Sequence, residues 1–446
     1  MSERRSATPA GPRSLDGLTA SATWLLVGNG FALGAQWLVA VLLGRFVPAG
    51  HVGQYAMGLA LCAPVFVFAD LQLRTMLSTD SRGDFAFGDY LRLRFALLAV
   101  ALLVVGGVAL LGRHDRASTF VVLAIAAYKV CEGVADILHG RLLQRERMRR
   151  CGLSMALKGL LVLALFLAAM WATHNVLVGV GAMVVALVVV MVTIDAPAVR
   201  RLATASRTPT GPRGSWSGAA RALAKGLPLG LTGFLAAATA NVPLWVVERT
   251  LGKEDLGYLA SMVYISAVGS AAMLSIGQAT MPRLALLYSQ GNARSFWRIA
   301  GTVACLAAVG GVALTLVIAV KGEALLGWLY GPGYAARHHV FTLTALAAAT
   351  GLVATALGQS VTATRAYRSL VVPYFAVALV VAGASLVLVP RLGLRGAPMA
   401  LAIANACACG TSLYLLLGKL RISSRGQGPV IPIASVDPTE GTGEQP

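Results

Sequence analysis

Acidic side chains are scarce in this chain. Asp and Glu together number 18 in 446 residues, and all charged residues make up 12%. That is about half the share of a soluble globular protein, which excludes a water-exposed surface of ordinary size. Histidine and cysteine are just as sparse, at six each. Cys407 and Cys409 are spaced C-x-C, which on a helix turns them roughly 200° apart. No disulfide, metal site or cofactor is expected. The sequence has no G-x-x-x-x-G-K-[ST] loop, so nucleotide hydrolysis by that device is excluded. Polar stretches are few and short, no soluble domain remains to hold an ordinary active site, and no enzymatic activity is expected.

What fills the chain instead is apolar. Hydrophobic residues make up 57% of it. They fall into twelve runs, at about 21–43, 52–77, 93–112, 118–139, 152–172, 176–196, 226–248, 256–280, 299–320, 340–363, 372–389 and 397–417. Roughly 20 apolar residues in a helix cross the hydrocarbon core of a bilayer. The expected fold is therefore all-α: a polytopic membrane protein of about twelve transmembrane helices.

The net charge of +19 would suggest nucleic acid if it formed one patch. Its position along the chain gives another explanation. With the N-terminus inside, about 26 of the 37 cations fall on one face of the bundle, and such loop asymmetry sets topology. Both termini are expected in the cytoplasm, with the basic face against anionic lipid headgroups and no nucleic-acid partner. Residues 1–20 are polar and the first apolar run is too long for a signal-peptide core, so no cleavable signal is expected.

The longest internal polar stretch, 200–225, gathers Pro209, Gly211, Pro212 and Gly214 and reads as a flexible linker. It divides the chain into a tail (1–20), a six-helix lobe (21–199), the linker, a second six-helix lobe (226–420) and a disordered tail (421–446). The lobes echo each other. Leu43-Gly44-Arg45 followed by Val52-Gly53-Gln54-Tyr55 matches Leu251-Gly252-Lys253 followed by Leu256-Gly257-Tyr258-Leu259. An even number of helices per half makes the repeat parallel, about an axis along the membrane normal.

Several stretches carry a family resemblance. They are the opening hairpin through Ala69-Asp70-Leu71, Phe87-Gly88-Asp89-Tyr90-Leu91-Arg92-Leu93-Arg94, Leu326-Gly327-Trp328-Leu329-Tyr330-Gly331-Pro332-Gly333-Tyr334, and Pro390-Arg391-Leu392-Gly393-Leu394-Arg395-Gly396-Ala397. In this order they resemble the polysaccharide-transport flippases, the Wzx-like proteins of the multidrug/oligosaccharidyl-lipid/polysaccharide (MOP) exporter superfamily, over about residues 20–420. Gln72 departs from the pattern, since such proteins more often carry Gly after Asp-Leu. The resemblance implies a flippase of the bacterial inner membrane. Its substrate would be an undecaprenyl-pyrophosphate-linked oligosaccharide, moved to the periplasmic leaflet for O-antigen, capsule or exopolysaccharide synthesis. A polysaccharide polymerase and its chain-length machinery would be partners.

Ionisable groups inside membrane helices are expensive and mark function by default. Lys129, Glu132 and Asp136 share one face of the fourth apolar run at i, i+3 and i+7, and Lys158 enters the fifth at similar depth. Two readings follow. Lys158 pairs with Asp136 and Lys129 with Glu132 to join two helices, or the lysines face a cavity and meet a lipid pyrophosphate. Asp70 and Arg74, at i and i+4, read as a helix-end ion pair or a gate. Asn29, Gln36, Asn241 and Gln278 are intramembrane groups able to hydrogen-bond a sugar or a neighbouring helix. Arg141, Arg145, Arg147, Arg149 and Arg150 form the densest basic cluster, topogenic or suited to capturing an anionic lipid.

Two other functions compete. A cation-coupled multidrug exporter of the same superfamily has the same layout, but such exporters are associated with a carboxylate in the first helix, and 21–43 contains none. A membrane glycan polymerase or ligase needs a large outer loop with a base, and the longest here, about 321–339, holds only Glu323.

Overall fold

The computed structural model describes residues 15–80, 84–112, 115–205, 214–364 and 371–424. Among them are fifteen α-helices and no strand. The first eight are α1 (Leu15–Phe46), α2 (Ala49–Asp70), α3 (Leu73–Thr79), α4 (Phe87–Leu111), α5 (Arg116–Gln144), α6 (Met148–Thr173), α7 (Val176–Val190) and α8 (Ala196–Ala205). The rest are α9 (Trp216–Thr250), α10 (Lys253–Ser289), α11 (Ala293–Tyr330), α12 (Pro332–Ala335), α13 (His338–Ala363), α14 (Val371–Leu392) and α15 (Gly396–Ser424). Three are short. α3 resumes α2 after a break, α8 prolongs α7 through a π-helical turn at Met191–Asp195, and α12 leads into α13. Twelve long helices remain. Nine stretches are long and apolar enough to cross a membrane, the last of which, Val371–Gly418, contains both α14 and α15. The protein is a polytopic all-α membrane protein.

Helix starts are set by local chemistry. Asp115, Asn175, Ser215 and Asn292 cap α5, α7, α9 and α11, each side chain accepting from a backbone N–H in the first turn. Gly252 and Gly331 stand before α10 and α12 at φ 98° and 95° with extended ψ, a backbone region almost closed to other residues.

Ser215 N–H donates to Asp89 and the Gln144 amide to the Asp80 carbonyl, so the start of α9, the α3–α4 connection and the end of α5 with its arginines meet at one end of the bundle, the basic end. Glycine lets helices cross closely. A Cβ on Gly152 of α6 would collide with the Trp24 carbonyl of α1, and one on Gly28 with the Gly152 carbonyl. At the end opposite the basic loops the two glycines aligned by the sequence repeat meet each other. A Cβ on Gly53 of α2 would overlap the Lys253 carbonyl, and one on Gly257 of α10 the Ala49 carbonyl. The Lys253 ammonium also pairs there with Asp115. Nearer the basic end α9 runs along α2, with Phe68 and Phe234 edge to face at 6.4 Å.

The largest buried apolar cluster draws on α1, α2, α4, α5, α6 and α7, with Tyr55, Phe66, Ile125 and Phe166 inside it. Trp171 and Trp328 are exposed at helix ends opposite the basic loops, and Trp216 at the basic end. Tryptophans favour the two membrane interfaces, and large apolar side chains such as Leu103 and Val320 are exposed between them.

The 200–225 segment departs from the expected flexible linker, because both its ends are helical. α8 runs to Ala205 and α9 begins at Trp216 behind the Ser215 cap. Residues 206–213, with Pro209 and Pro212, lie outside the described residues. Likewise α1 begins within the expected N-terminal tail and α15 runs to Ser424; 425–446 lie outside the described residues.

Candidate functional site

The site begins at the break in α2. Leu71 and Gln72 adopt left-handed backbone angles, φ 45° and 56°, which end α2 at Asp70 and restart the chain as α3. This conformation costs a residue with a Cβ about 1–2 kcal/mol, a physical reason for glycine to be favoured where this chain has Gln72. The break also takes Asp70 and Arg74 off a common helix face, so the ion pair expected between them does not form. Asp70 Oδ1 accepts from Arg94 Nη2 at 2.7 Å, and Arg74 Nη1 donates to Asp136 Oδ1 at 3.1 Å.

Arg94 joins these groups. It lies on α4 with its side chain 2% exposed, and its Nη2 also reaches Asp136 Oδ2 at 3.3 Å. Two arginines and two carboxylates thus tie α2, α3, α4 and α5 together. This is why Asp136 does not pair with Lys158, as one expectation had it. Lys129 does bond Glu132, at 2.7 Å. Lys158 has no ion-pair partner among the described residues, though it acts electrostatically on Glu132.

All of these groups line one cavity of about 360 Å³ between α1, α2, α3, α4, α5 and α6. It contains four cations (Arg74, Arg94, Lys129, Lys158) and three carboxylates (Asp70, Glu132, Asp136). One positive charge is left over, and it sits on Lys158. Asn29 and Gln36 line the same cavity from α1. Asn241 does not line it; its amide donates to the Ala237 carbonyl one turn back on α9. The Gln278 side chain lies outside the described residues. The basic cluster occupies the α5–α6 connection. Arg145, Arg147, Arg149 and Arg150 are exposed, Arg149 lies over the Trp24 ring, and Arg141 bonds Gln144 and covers Phe87.

A second polar group escaped the sequence reading. His139 on α5, Ser154 on α6 and Asp195 in the π-helical turn are all buried. Ser154 Oγ donates to Asp195 Oδ1 at 2.5 Å, and His139 Nε2 lies 3.2 Å from Ser154 Oγ and 3.4 Å from Asp195 Oδ2. His139 also lines the cavity. Spacing gave a signal: His139 is three residues past Asp136, and Ser154 four before Lys158, each on the charged face of its helix. The cluster ties α5 and α6 to the turn after α7. Asp195→Ala strands a buried imidazole and hydroxyl, with an expected loss of about 2–3 kcal/mol and a clearly lower thermal unfolding midpoint in detergent. Ser154→Ala should lose about 1 kcal/mol. Equal midpoints for wild type and both variants would contradict this role.

A second cavity, also about 360 Å³, lies between α9, α10, α13, α14 and α15. It draws on the first, second, fourth and fifth long helices of its half, as the first cavity does, but on the sixth in place of the third, and among the described residues no charged side chain lines it.

No family model matches the chain. The capsular polysaccharide biosynthesis protein CapF of Staphylococcus aureus is 22% identical over 397 residues, which is 88% of this chain and 97% of CapF. Among solved structures, a multidrug resistance MATE family transporter of the MOP superfamily in its inward-facing conformation matches with TM-score 0.63 at 15% identity, over 94% of this chain and 97% of that one. An outward-facing MATE structure matches with TM-score 0.62 at 15% identity, over 92% and 99%. A MOP superfamily transporter from Pyrococcus furiosus, described as having a binding pocket of reverse polarity, also gives 0.62 at 15% identity, over 91% and 96%. With helix order, coverage and architecture in agreement, the chain has the fold of the MOP superfamily transporters.

Proposed function

We propose that the protein flips a pyrophosphate-linked oligosaccharide from the cytoplasmic to the periplasmic leaflet of a bacterial inner membrane, for surface polysaccharide synthesis. Two six-helix lobes, 21–199 and 226–420, would move against each other with both termini in the cytoplasm. The observation that carries this reading is Lys158. An unpaired cation inside a membrane helix costs about 2.5–3.5 kcal/mol on insertion scales, and here it faces a cavity in which every carboxylate already has a closer cation. Such a site favours an anion. Arg74, Arg94 and Lys129 add donors around the same space.

The likeness to CapF supports a polysaccharide substrate in particular. The exposed arginines of the α5–α6 connection suit the approach of an anionic lipid from the cytoplasmic leaflet. A cation-coupled drug exporter is the second reading, because solved relatives include MATE transporters. The cavity disfavours it: a cationic drug would meet a surplus positive charge, and the polar side chains α1 supplies to the lining, Asn29 and Gln36, include no carboxylate.

The test is surface polysaccharide in the host strain. A charged hydrogen bond is worth about 1.5–3 kcal/mol, so Lys158→Ala should lower export about 10–100-fold while folded protein accumulates normally. Lys158→Arg should retain most of it. Because Lys158 has no ion-pair partner among the described residues to strand, loss of folded protein would count against this assignment, as would full export by Lys158→Ala. Reporter fusions after Arg150 and after Arg425 should both read as cytoplasmic; a periplasmic signal at either breaks the proposed topology.

A further inference from the structure

The uncharged cavity of the second half has a donor–acceptor pattern of its own. Thr239, Ser266, Thr344, Thr355 and Thr411 line it, and each hydroxyl donates back to a carbonyl of its own helix at 2.8–3.1 Å. A hydroxyl that has used its one proton retains its lone pairs and can only accept. One Asn405 amide N–H donates to the Ala347 carbonyl of α13 at 2.9 Å, leaving its second N–H as a donor and its Oδ1 as an acceptor. Among the described residues the wall therefore presents mainly acceptors, with the second Asn405 N–H and the Ser412 hydroxyl as donors, and no charge. Tyr374 adds an aromatic face and a hydroxyl without a partner among the described residues.

Three classes of occupant can be compared. An alkyl or isoprenoid chain would leave the free Asn405 N–H and Oδ1 and the Tyr374 hydroxyl unpaired, at a cost for each. A charged group would find no counter-ion. A neutral ligand rich in O–H and N–H donors satisfies the wall, and a pyranose ring also offers C–H faces to an aromatic side chain. The volume, about 360 Å³, falls in the range of about 300–1,000 Å³ typical of small-molecule sites.

We infer that this second-half cavity binds a neutral sugar unit of the transported glycan, while the charged first-half cavity holds its pyrophosphate. The inference rests on the proposed flippase reading. It divides recognition between the two cavities: the first recognises the anion common to lipid-linked precursors, and the second reads the glycan.

The experiment uses the full-length protein with two readouts: surface polysaccharide made in the host strain, and inorganic pyrophosphate binding to purified protein by calorimetry. Thr355→Val and Thr411→Val keep side-chain shape and remove an acceptor. Each should lower export about tenfold, the equivalent of one lost hydrogen bond to a buried partner, with unchanged protein level and pyrophosphate affinity. Thr355→Ser should restore export. Unchanged or improved export by the double Val variant overturns the inference and points to an alkyl chain or an empty space. Reduced export with a matching fall in pyrophosphate affinity also overturns it, since the effect would then be global. The flippase reading fails separately, if Lys158→Ala changes neither pyrophosphate binding nor export. Should the Val variants misfold, Gly358→Leu, which fills the cavity without removing a hydroxyl, must block export; full export with the cavity filled overturns the inference.

Discussion

Replacing Arg94 by methionine is expected to remove most of the folded protein from the membrane. Arg94 is the largest fully buried side chain among the described residues. It holds Asp70 and Asp136 from two different helices. Methionine fills the space of the stem but leaves the two carboxylates facing each other across it. Removing one partner from a buried pair typically costs about 3–5 kcal/mol. Because Asp70 is 40% exposed and Asp136 keeps Arg74, about 3 kcal/mol is expected here. That is a large share of the stability of any domain. Arg74→Met should cost less, since Asp136 then retains Arg94. The decisive control is the triple variant Arg94→Met, Asp70→Asn, Asp136→Asn, which removes the uncompensated charges and should recover folded protein without recovering export. The measurements are membrane abundance and thermal midpoint in detergent. A single Arg94→Met variant as stable as wild type would show that the network does not hold α2, α4 and α5 together.

Arg94 also marks the limit of what spacing reveals. It lies two residues from Arg92 in a charged stretch before an apolar run, and spacing along the sequence does not set the two apart. The two differ by helix phase. Arg94 falls in register with buried Tyr90 and Leu98, whereas Arg92 is exposed. Reading the helix period through the charged first turn would have separated them. Asp70 and Arg74 failed for the opposite reason: the i, i+4 rule assumes a continuous helix, and two left-handed residues intervene. Gln72, where the chain departs from the pattern it resembles, was the clue.

Where periodicity and hydropathy act over long stretches, the chain is legible. The helices fall where about 20-residue apolar runs require them, and the i, i+3, i+7 placement of Lys129, Glu132 and Asp136 puts all three into one cavity with Lys158. Asp195 was not legible in this way. Its partners come from α5 and α6, and it reaches them from a π-helical turn that shifts the phase of the chain after α7. The uncharged cavity was invisible as well, since Thr, Ala and Gly in a membrane helix also serve simple close packing.

Introducing a side chain at Gly257 should trap the transporter. At the end opposite the basic loops, α2 and α10 approach so closely that Gly53 and Gly257 each lie against a carbonyl of the other helix. Those carbonyls are backbone and cannot rotate out of the way, so Gly257→Val must push the helices apart there. Overpacking of this kind typically costs about 1–3 kcal/mol. The penalty applies only to the state in which this end is closed. A difference of that size between two states shifts their ratio by about 5–150-fold. If alternating access opens and closes this end, Gly257→Val populates the open form and export falls at least about tenfold, with folded protein retained. Gly53→Val should act alike, since the repeat makes the two positions equivalent. Ala56, one turn further along α2, is buried under the contact and supplies the reporter. A cysteine there should react with an impermeant maleimide on intact cells in the Gly257→Val background and stay protected in its absence. Normal export together with a protected cysteine would mean that α2 and α10 already separate elsewhere, and that this glycine pair is a fixed joint.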